Sequence, residues 1–191
     1  MSGANRIGQV VRGAWIVGAL GVATLLTACV DNRTPPQSRP CPQVRVVQDA
    51  SYLTRFAGTS EDLTDTSFEA RISRSESLCY YEEDRGTNQT RIRTELRVEF
   101  AASRGPNNPE SAANFRYWVR MTGPGGTFLP GDQVLDVTIP FTPSRVQGIA
   151  QDEIFVYIPL NANENGDFYR IHIGLEVSEK ELAYNRRNPQ R

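Results

Sequence analysis

The segment from Arg91 to Phe100 alternates strictly between charged and uncharged side chains, and this pattern constrains the fold of the 191-residue chain more than any other feature. Successive side chains of a β-strand point to opposite faces, so the pattern predicts a strand with one face in a core and one in water. Two-faced strands of this kind are typical of antiparallel sheets. The uncharged set consists of Ile92, Thr94, Leu96, Val98 and Phe100.

Further segments rich in β-branched or aromatic residues are typical of strands. They lie at residues 44–47, 66–74, 78–82, 115–121, 134–141, 154–160 and 169–177. Segments rich in Gly, Pro and Asn separate several of them. The order predicts an all-β fold, a single antiparallel β-sandwich of roughly seven to nine strands, immunoglobulin- or fibronectin-like in general organisation only. A closed barrel is the alternative.

Two local motifs lie near the C-terminus. Residues 161–167 are rich in Asn and Gly, which predicts a hairpin loop. Their spacing partly fits a calcium loop, but the twelfth position is His172 where a bidentate Glu is needed, so we expect no calcium there. Ser178 and Glu181 have the spacing of a capping box, which predicts a short helix before a basic tail.

The N-terminal segment has the form of a secretory signal. Arg6 and Arg12 precede an uncharged apolar segment of about 13 residues that ends at Leu26, shorter than the roughly 20 residues of a spanning helix. The segment closes with Leu26-Thr27-Ala28-Cys29 and resembles the lipobox of bacterial lipoprotein precursors. The resemblance implies a diacylglyceryl group on the Cys29 thiol and cleavage just before it. An ordinary signal peptide with a chance cysteine is the alternative.

Together with the strand and helix patterns, this resemblance divides the chain into four regions. They are a signal peptide at 1–28, a lipidated Cys29 with a proline-rich tether at 29–40, a sandwich domain at 41–177, and a short helix with a basic tail at 178–191. It also implies a protein of the cell envelope that is anchored in a membrane by lipid and faces the periplasm. Val30 stands where an inner-membrane retention signal has Asp, so the outer membrane is preferred to the inner one.

Charge and cysteine content exclude some classes of protein. Without residues 1–28 the chain has 19 basic and 22 acidic residues, a formal charge of about −3, which argues against nucleic-acid binding. Once Cys29 carries lipid, Cys41 and Cys79 remain, and an oxidising compartment favours a disulfide between them. Two reduced, buried thiols are the alternative. No catalytic, metal-binding or cofactor motif is present, so we expect neither a cofactor nor a metal.

Several residues are candidates for binding. Arg116, Trp118 and Arg120 share one face of a predicted strand, and Tyr80 and Tyr81 lie next to each other in another predicted strand. Trp, Tyr and Arg are enriched at interfaces. We therefore expect a non-catalytic scaffold or assembly component that binds another envelope protein.

The alternative function is a module that binds or hydrolyses cell-wall saccharide. Either of two acidic groups in predicted loops could supply the paired carboxylates that hydrolysis needs. One group is Glu61-Asp62 with Asp65, and the other is Glu82-Glu83-Asp84. His172, which we expect to be a surface or half-buried strand residue, has no nucleophile motif to complete a triad.

Overall fold

The computed structural model describes residues 39–86 and 89–189, so the predicted signal sequence, Cys29 and most of the tether lie outside the described residues. The described residues form eight strands and one α-helix. These are β1 Gln43–Val46, β2 Tyr52–Phe56, β3 Thr66–Asp84, β4 Gln89–Arg104, β5 Ala112–Thr122, β6 Gln133–Pro140, β7 Gln147–Pro159, β8 Arg170–Leu175 and α1 Glu179–Arg187. No helix among them is long and apolar enough to cross a membrane.

Two four-stranded sheets pack face to face, which confirms the predicted β-sandwich. The first sheet has the order β1-β8-β5-β6 and the second has the order β2-β3-β4-β7. Neighbouring strands are antiparallel except for β1 and β8, which are parallel. The five uncharged residues from Ile92 to Phe100 in β4 are all fully buried, as their alternation predicted. Phe100 and Tyr117 meet in the core with ring centroids 4.8 Å apart.

Strand β3 corrects the sequence analysis in two respects. Residues 66–74 and 78–82 were expected to form two strands, yet β3 runs without a break from Thr66 to Asp84. The polar residues 75–77 between them have no apolar alternation, but their backbone pairs with β4 at every position. A register shift occurs just before them, between Ile72 and Arg74. The acidic group at 82–84 therefore lies in a strand rather than in a loop.

The loop at residues 161–167 is not a hairpin, contrary to expectation. It joins β7 to β8, which belong to different sheets, so the chain crosses from one layer to the other here. Gly166 is required for a close approach rather than for a tight turn, because a Cβ there would collide with the carbonyl oxygen of Pro40. Asn163 has a positive φ of 68°, which asparagine tolerates better than most residues.

A disulfide between Cys41 and Cys79 joins the start of the domain to β3, with the two Cα atoms 5.7 Å apart. This confirms the predicted pairing. The Tyr81 hydroxyl donates a hydrogen bond to the Pro40 carbonyl at 2.7 Å and accepts one from the Gly166 amide at 2.8 Å. The point where the chain enters the domain is therefore fixed both to β3 and to the β7-β8 loop.

Helix α1 begins with the predicted capping box of Ser178 and Glu181. It covers the free edge of β2, where the Asn185 side-chain amide donates to the Tyr52 carbonyl at 2.8 Å. A covered edge cannot pair with a strand from another chain. Arg186 and Arg187, expected in the tail, lie in the last turn of α1 and pair with carboxylates of the domain.

Candidate interaction surface

Four large apolar side chains are exposed on the outer face of the second sheet, in the half that ends at the β3-β4 hairpin. Their exposed fractions lie between 42 and 58%. They are Leu78, Tyr80, Phe155 and Tyr157. Strand register brings them together, because Arg93 lies between Tyr80 and Tyr157 in one row of the sheet. We call these four residues, with Arg91 and Arg93, the arginine-aromatic surface.

Guanidinium groups and rings alternate across this surface. The Arg93 Cζ lies 4.7 Å from the ring centroid of Tyr80 and 5.5 Å from that of Phe155. The Arg91 Cζ lies 4.9 Å from the centroid of Tyr157. At these distances a cation is attracted to the electron-rich face of a ring. Each of the three aromatic rings is therefore held in place by an arginine and has a guanidinium over one of its faces.

Both arginines pair with the same acidic neighbour. Glu82 accepts hydrogen bonds from Arg93 at 2.6 Å and from Arg91 at 3.4 Å. The bond from Arg93 is the main reason why the pKa of Glu82 lies below its usual range. Two rows further along the same face, Arg97 is also paired, 2.8 Å from Glu153. The surface thus combines apolar rings with charges that are already paired.

The structure places Trp118 on the outer face of the first sheet, a choice that the sequence pattern leaves open, and covers much of it. The indole ring lies over Gly174, where any Cβ would collide with it, and its N–H donates to the Leu175 carbonyl at 3.1 Å. Arg120 lies over the ring and pairs with Asp132. The neighbouring Arg116 pairs with Glu176 at 2.6 Å. The three residues named from the sequence do form one cluster, but its indole is half-buried and its charges are paired.

The two tyrosines named from the sequence have different environments. Tyr80 is exposed within the arginine-aromatic surface, whereas Tyr81 points to the other face and is half-buried. Its hydroxyl is engaged by Pro40 and Gly166, and Arg39 lies over its ring at 5.0 Å. We therefore assign Tyr81 to the structure of the tether end and Tyr80 to the candidate surface.

Phe155 and Leu78 were missed as candidates from the sequence. The signal for Phe155 was available, because Ile154, Val156 and Ile158 alternate with it and are buried. By the same period Phe155 and Tyr157 face outward together. The signal for Leu78 was weaker, because the residues before it, Ser75 to Ser77, are polar and the alternation begins only with Cys79 and Tyr81.

The two acidic groups suggested for hydrolysis lie at opposite ends of β3. Asp65 immediately precedes β3 and Glu82 lies near its other end, so the length of the strand separates them. Glu61 pairs with Arg187 at 2.7 Å, and Asp62 accepts from the Thr64 amide at 2.9 Å. A groove of about 360 Å³ lies over Ala101 on the other half of the second sheet. Among the described residues that line this groove, one, Glu69, has a carboxylate. Hydrolysis of a glycoside uses two carboxylates, so these lining residues supply half of the required pair.

His172 lies half-buried in β8, its Nε2 3.1 Å from the Thr122 hydroxyl oxygen. Partial burial is the main cause that lowers its pKa, followed by the nearby charges of Arg45 and Arg170. Within residues 39–86 and 89–189, no three His, Cys, Asp or Glu side chains are grouped so that they could hold a metal ion.

Comparison with protein-family models, with curated proteins and with solved structures found no match for this chain. The fold and its exposed surface define a two-sheet β-sandwich with one contiguous arginine-aromatic face.

Proposed function

We propose that this protein is a lipid-anchored component of the bacterial cell envelope, a non-catalytic scaffold or assembly factor that binds another envelope protein. Its lipid is carried by Cys29, and the domain faces the periplasm, with the outer membrane preferred as the site of anchoring. The binding site is the arginine-aromatic surface of the second sheet.

The observation that carries the proposal is the clustering of exposed rings and arginines on one flat sheet face. Tyr, Phe and Arg are enriched at protein interfaces, and a few such residues contribute most of the binding energy. Tyr80, Phe155 and Tyr157 lose little conformational freedom on binding, because arginines already hold their rings. Such a preorganised surface favours a protein partner that covers all three rings at once.

The charges indicate the chemistry of the partner. Glu82 already binds both Arg91 and Arg93, so an acidic partner would have to compete with it. A partner with an apolar or aromatic surface gains the area of the rings without disturbing these pairs. We therefore propose a partner face that is mainly apolar and has a neutral polar rim.

Saccharide binding is the second candidate function, and the exposed rings of Tyr80 and Tyr157 favour it. Aromatic rings bind sugars by stacking face to face, which requires open ring faces. Here Arg93 covers one face of Tyr80 and Arg91 covers one face of Tyr157. Half of the stacking area is thus already used, so we rank saccharide binding below protein binding.

The test is in-cell cross-linking followed by affinity capture of the full chain from membranes. A variant with Tyr80→Ser, Phe155→Ser and Tyr157→Ser is compared with Val134→Ser, which changes an exposed apolar residue on the first sheet. We expect a discrete protein to be captured by the parent and by Val134→Ser and to be lost from the triple variant. A Cys29→Ala chain tests whether capture also needs the anchor.

The proposal is contradicted if the triple variant captures the same proteins as the parent. Recovery of cell-wall saccharide, instead of protein, by the parent and not by the triple variant would support the second candidate. Circular dichroism of each variant establishes that the sheets remain folded.

A further inference from the structure

The chain enters the sandwich at a defined end. Pro40 and Cys41 are fixed there by Tyr81, Gly166 and the disulfide to Cys79. The loop after β5 lies at the same end, because Thr122, the last residue of β5, pairs with Arg170 at the start of β8. We call this the tether end, since any lipid on Cys29 would be connected to it through residues 30–38.

Two loops of the tether end expose phenylalanine rings. Phe128, in the loop after β5, is 68% exposed, and Phe168, just before β8, is also exposed. Phe128 forms a β-bridge with Thr122, so it continues the outer face of the first sheet toward the tether end. Exposure of an aromatic ring to water is unfavourable in free energy, because its apolar surface is not buried against other apolar groups.

Two arginines of the same sheet, Arg45 and Arg170, lie on strands that begin at the tether end, and neither has an acidic partner among the described residues. Arg45 in β1 pairs in register with His172 in β8, and Arg170 precedes His172 by two residues on the same face. Within the described residues, neither Arg45 nor Arg170 pairs with a carboxylate, whereas Arg116 and Arg120 on the same sheet face both do. Neighbouring like charges are unfavourable, so this site favours an external anion.

We propose that Arg45, Arg170, Phe128 and Phe168 form a patch that contacts the anionic phospholipid surface of the anchoring membrane. The inference rests on the proposed lipid at Cys29. Cations combined with exposed aromatic side chains suit the boundary between headgroups and acyl chains. A free anion would use the arginines but would leave both rings in water. The tether adds a high effective concentration at the membrane, which allows a small patch to bind.

The proposed contact fixes the orientation of the domain. With the patch bound, the tether end rests on the membrane and α1, which packs beside β2 at the opposite end, points away from it. The arginine-aromatic surface then faces sideways, away from contact with the bilayer, where another envelope protein can bind it.

The experiment uses the full chain, isolated with its lipid and reconstituted in vesicles that contain brominated lipids, which quench tryptophan. Phe128→Trp places a reporter in the patch, and Val146→Trp places a matched reporter in an exposed loop at the opposite end. We expect strong quenching at 128 and none at 146 beyond that of the parent chain. Quenching should require phosphatidylglycerol and fall to the level of Val146→Trp in phosphatidylcholine alone.

Charge variants then test the arginines. Adding Arg45→Gln and Arg170→Gln to the Phe128→Trp chain should abolish its quenching, whereas Arg71→Gln with Arg145→Gln, which remove the same charge elsewhere, should not. Mass spectrometry of Cys29 separates the two proposals. A lipidated Cys29 without quenching at 128 overturns the patch alone, and a chain without lipid on Cys29 contradicts both the patch and the anchored function. Equal quenching at 128 and 146 also overturns the patch.

Discussion

The hydroxyl of Tyr117 donates a hydrogen bond to the carboxylate of Asp152 across the interior of the sandwich, at 2.8 Å. Tyr117 lies in β5 of the first sheet and is fully buried, while Asp152 lies in β7 of the second sheet. Burial is the main cause that raises the pKa of Tyr117, and the carboxylate raises it further. The hydroxyl therefore keeps its proton and links the two layers by a polar contact.

Tyr117→Phe should destabilise the fold by about 1–3 kcal/mol, because Asp152 loses its donor in a partly buried position. Urea unfolding followed by circular dichroism measures the change. A second variant, Tyr117→Phe with Asp152→Val, replaces both partners by apolar groups and should recover part of the loss. Unchanged unfolding of the Tyr117→Phe chain would show that this contact between the sheets contributes nothing.

Reduction of the disulfide between Cys41 and Cys79 should lower the free energy of unfolding by about 4 kcal/mol in the chain-entropy estimate for a separation of 38 residues. The comparison is between oxidised and reduced full chain in urea, with the Cys41→Ala, Cys79→Ala double variant as the control for reductant. Equal midpoints for the oxidised and reduced proteins would contradict the expectation.

Thr94 offers a stabilising substitution. Its side chain is fully buried beside Cys79 and Val156, and its hydroxyl has no hydrogen-bond partner among the described residues. Thr94→Val should therefore raise the free energy of unfolding by about 1 kcal/mol, since it removes an unsatisfied polar atom. The reverse change on the adjacent strand, Val156→Thr, should lower it by about 1–3 kcal/mol. A less stable Thr94→Val chain would reveal a partner for this hydroxyl.

His172 should make stability depend on pH. Its pKa in the folded protein lies below the ordinary value of 6.5, mainly because the ring is partly buried. As pH falls below 6.5, the unfolded chain takes up a proton before the folded one does, so the free energy of unfolding decreases. His172→Gln should remove this part of the decrease. Thermal unfolding from pH 8 to about pH 5 measures it, and an identical slope in the variant would refute the assignment.

A strand is predictable from its residues where its two faces contrast. The alternation in β4 identified every buried residue from Ile92 to Phe100, because the core and water select opposite side chains at a period of two. In β3 this contrast is lost. Much of its second half has β4 as its one neighbour in the sheet, so the face pattern is weak and the strand was divided in two.

The candidate site was only partly predictable. Alternation places Trp118 opposite Tyr117, on the face that Arg116 and Arg120 share, and the structure has these three residues on one face. It does not tell which outward residue is covered by a neighbouring strand. Because Gly174 has no side chain, the Trp118 indole packs against the backbone there. The ring of Tyr80 contacts the Arg93 guanidinium instead and stays exposed. These contacts depend on strand order, including the parallel pairing of β1 with β8, and no local pattern encodes that order.

The most direct measurement is site-specific photo-crosslinking in cells. A crosslinking phenylalanine analogue is placed at position 155, inside the arginine-aromatic surface, and in a second chain at position 149, an exposed residue on the same face of β7. We expect a discrete adduct with one envelope protein from position 155 and none from position 149. The same adducts from both positions, or none from position 155 while the protein is membrane-anchored, would contradict the proposed binding surface.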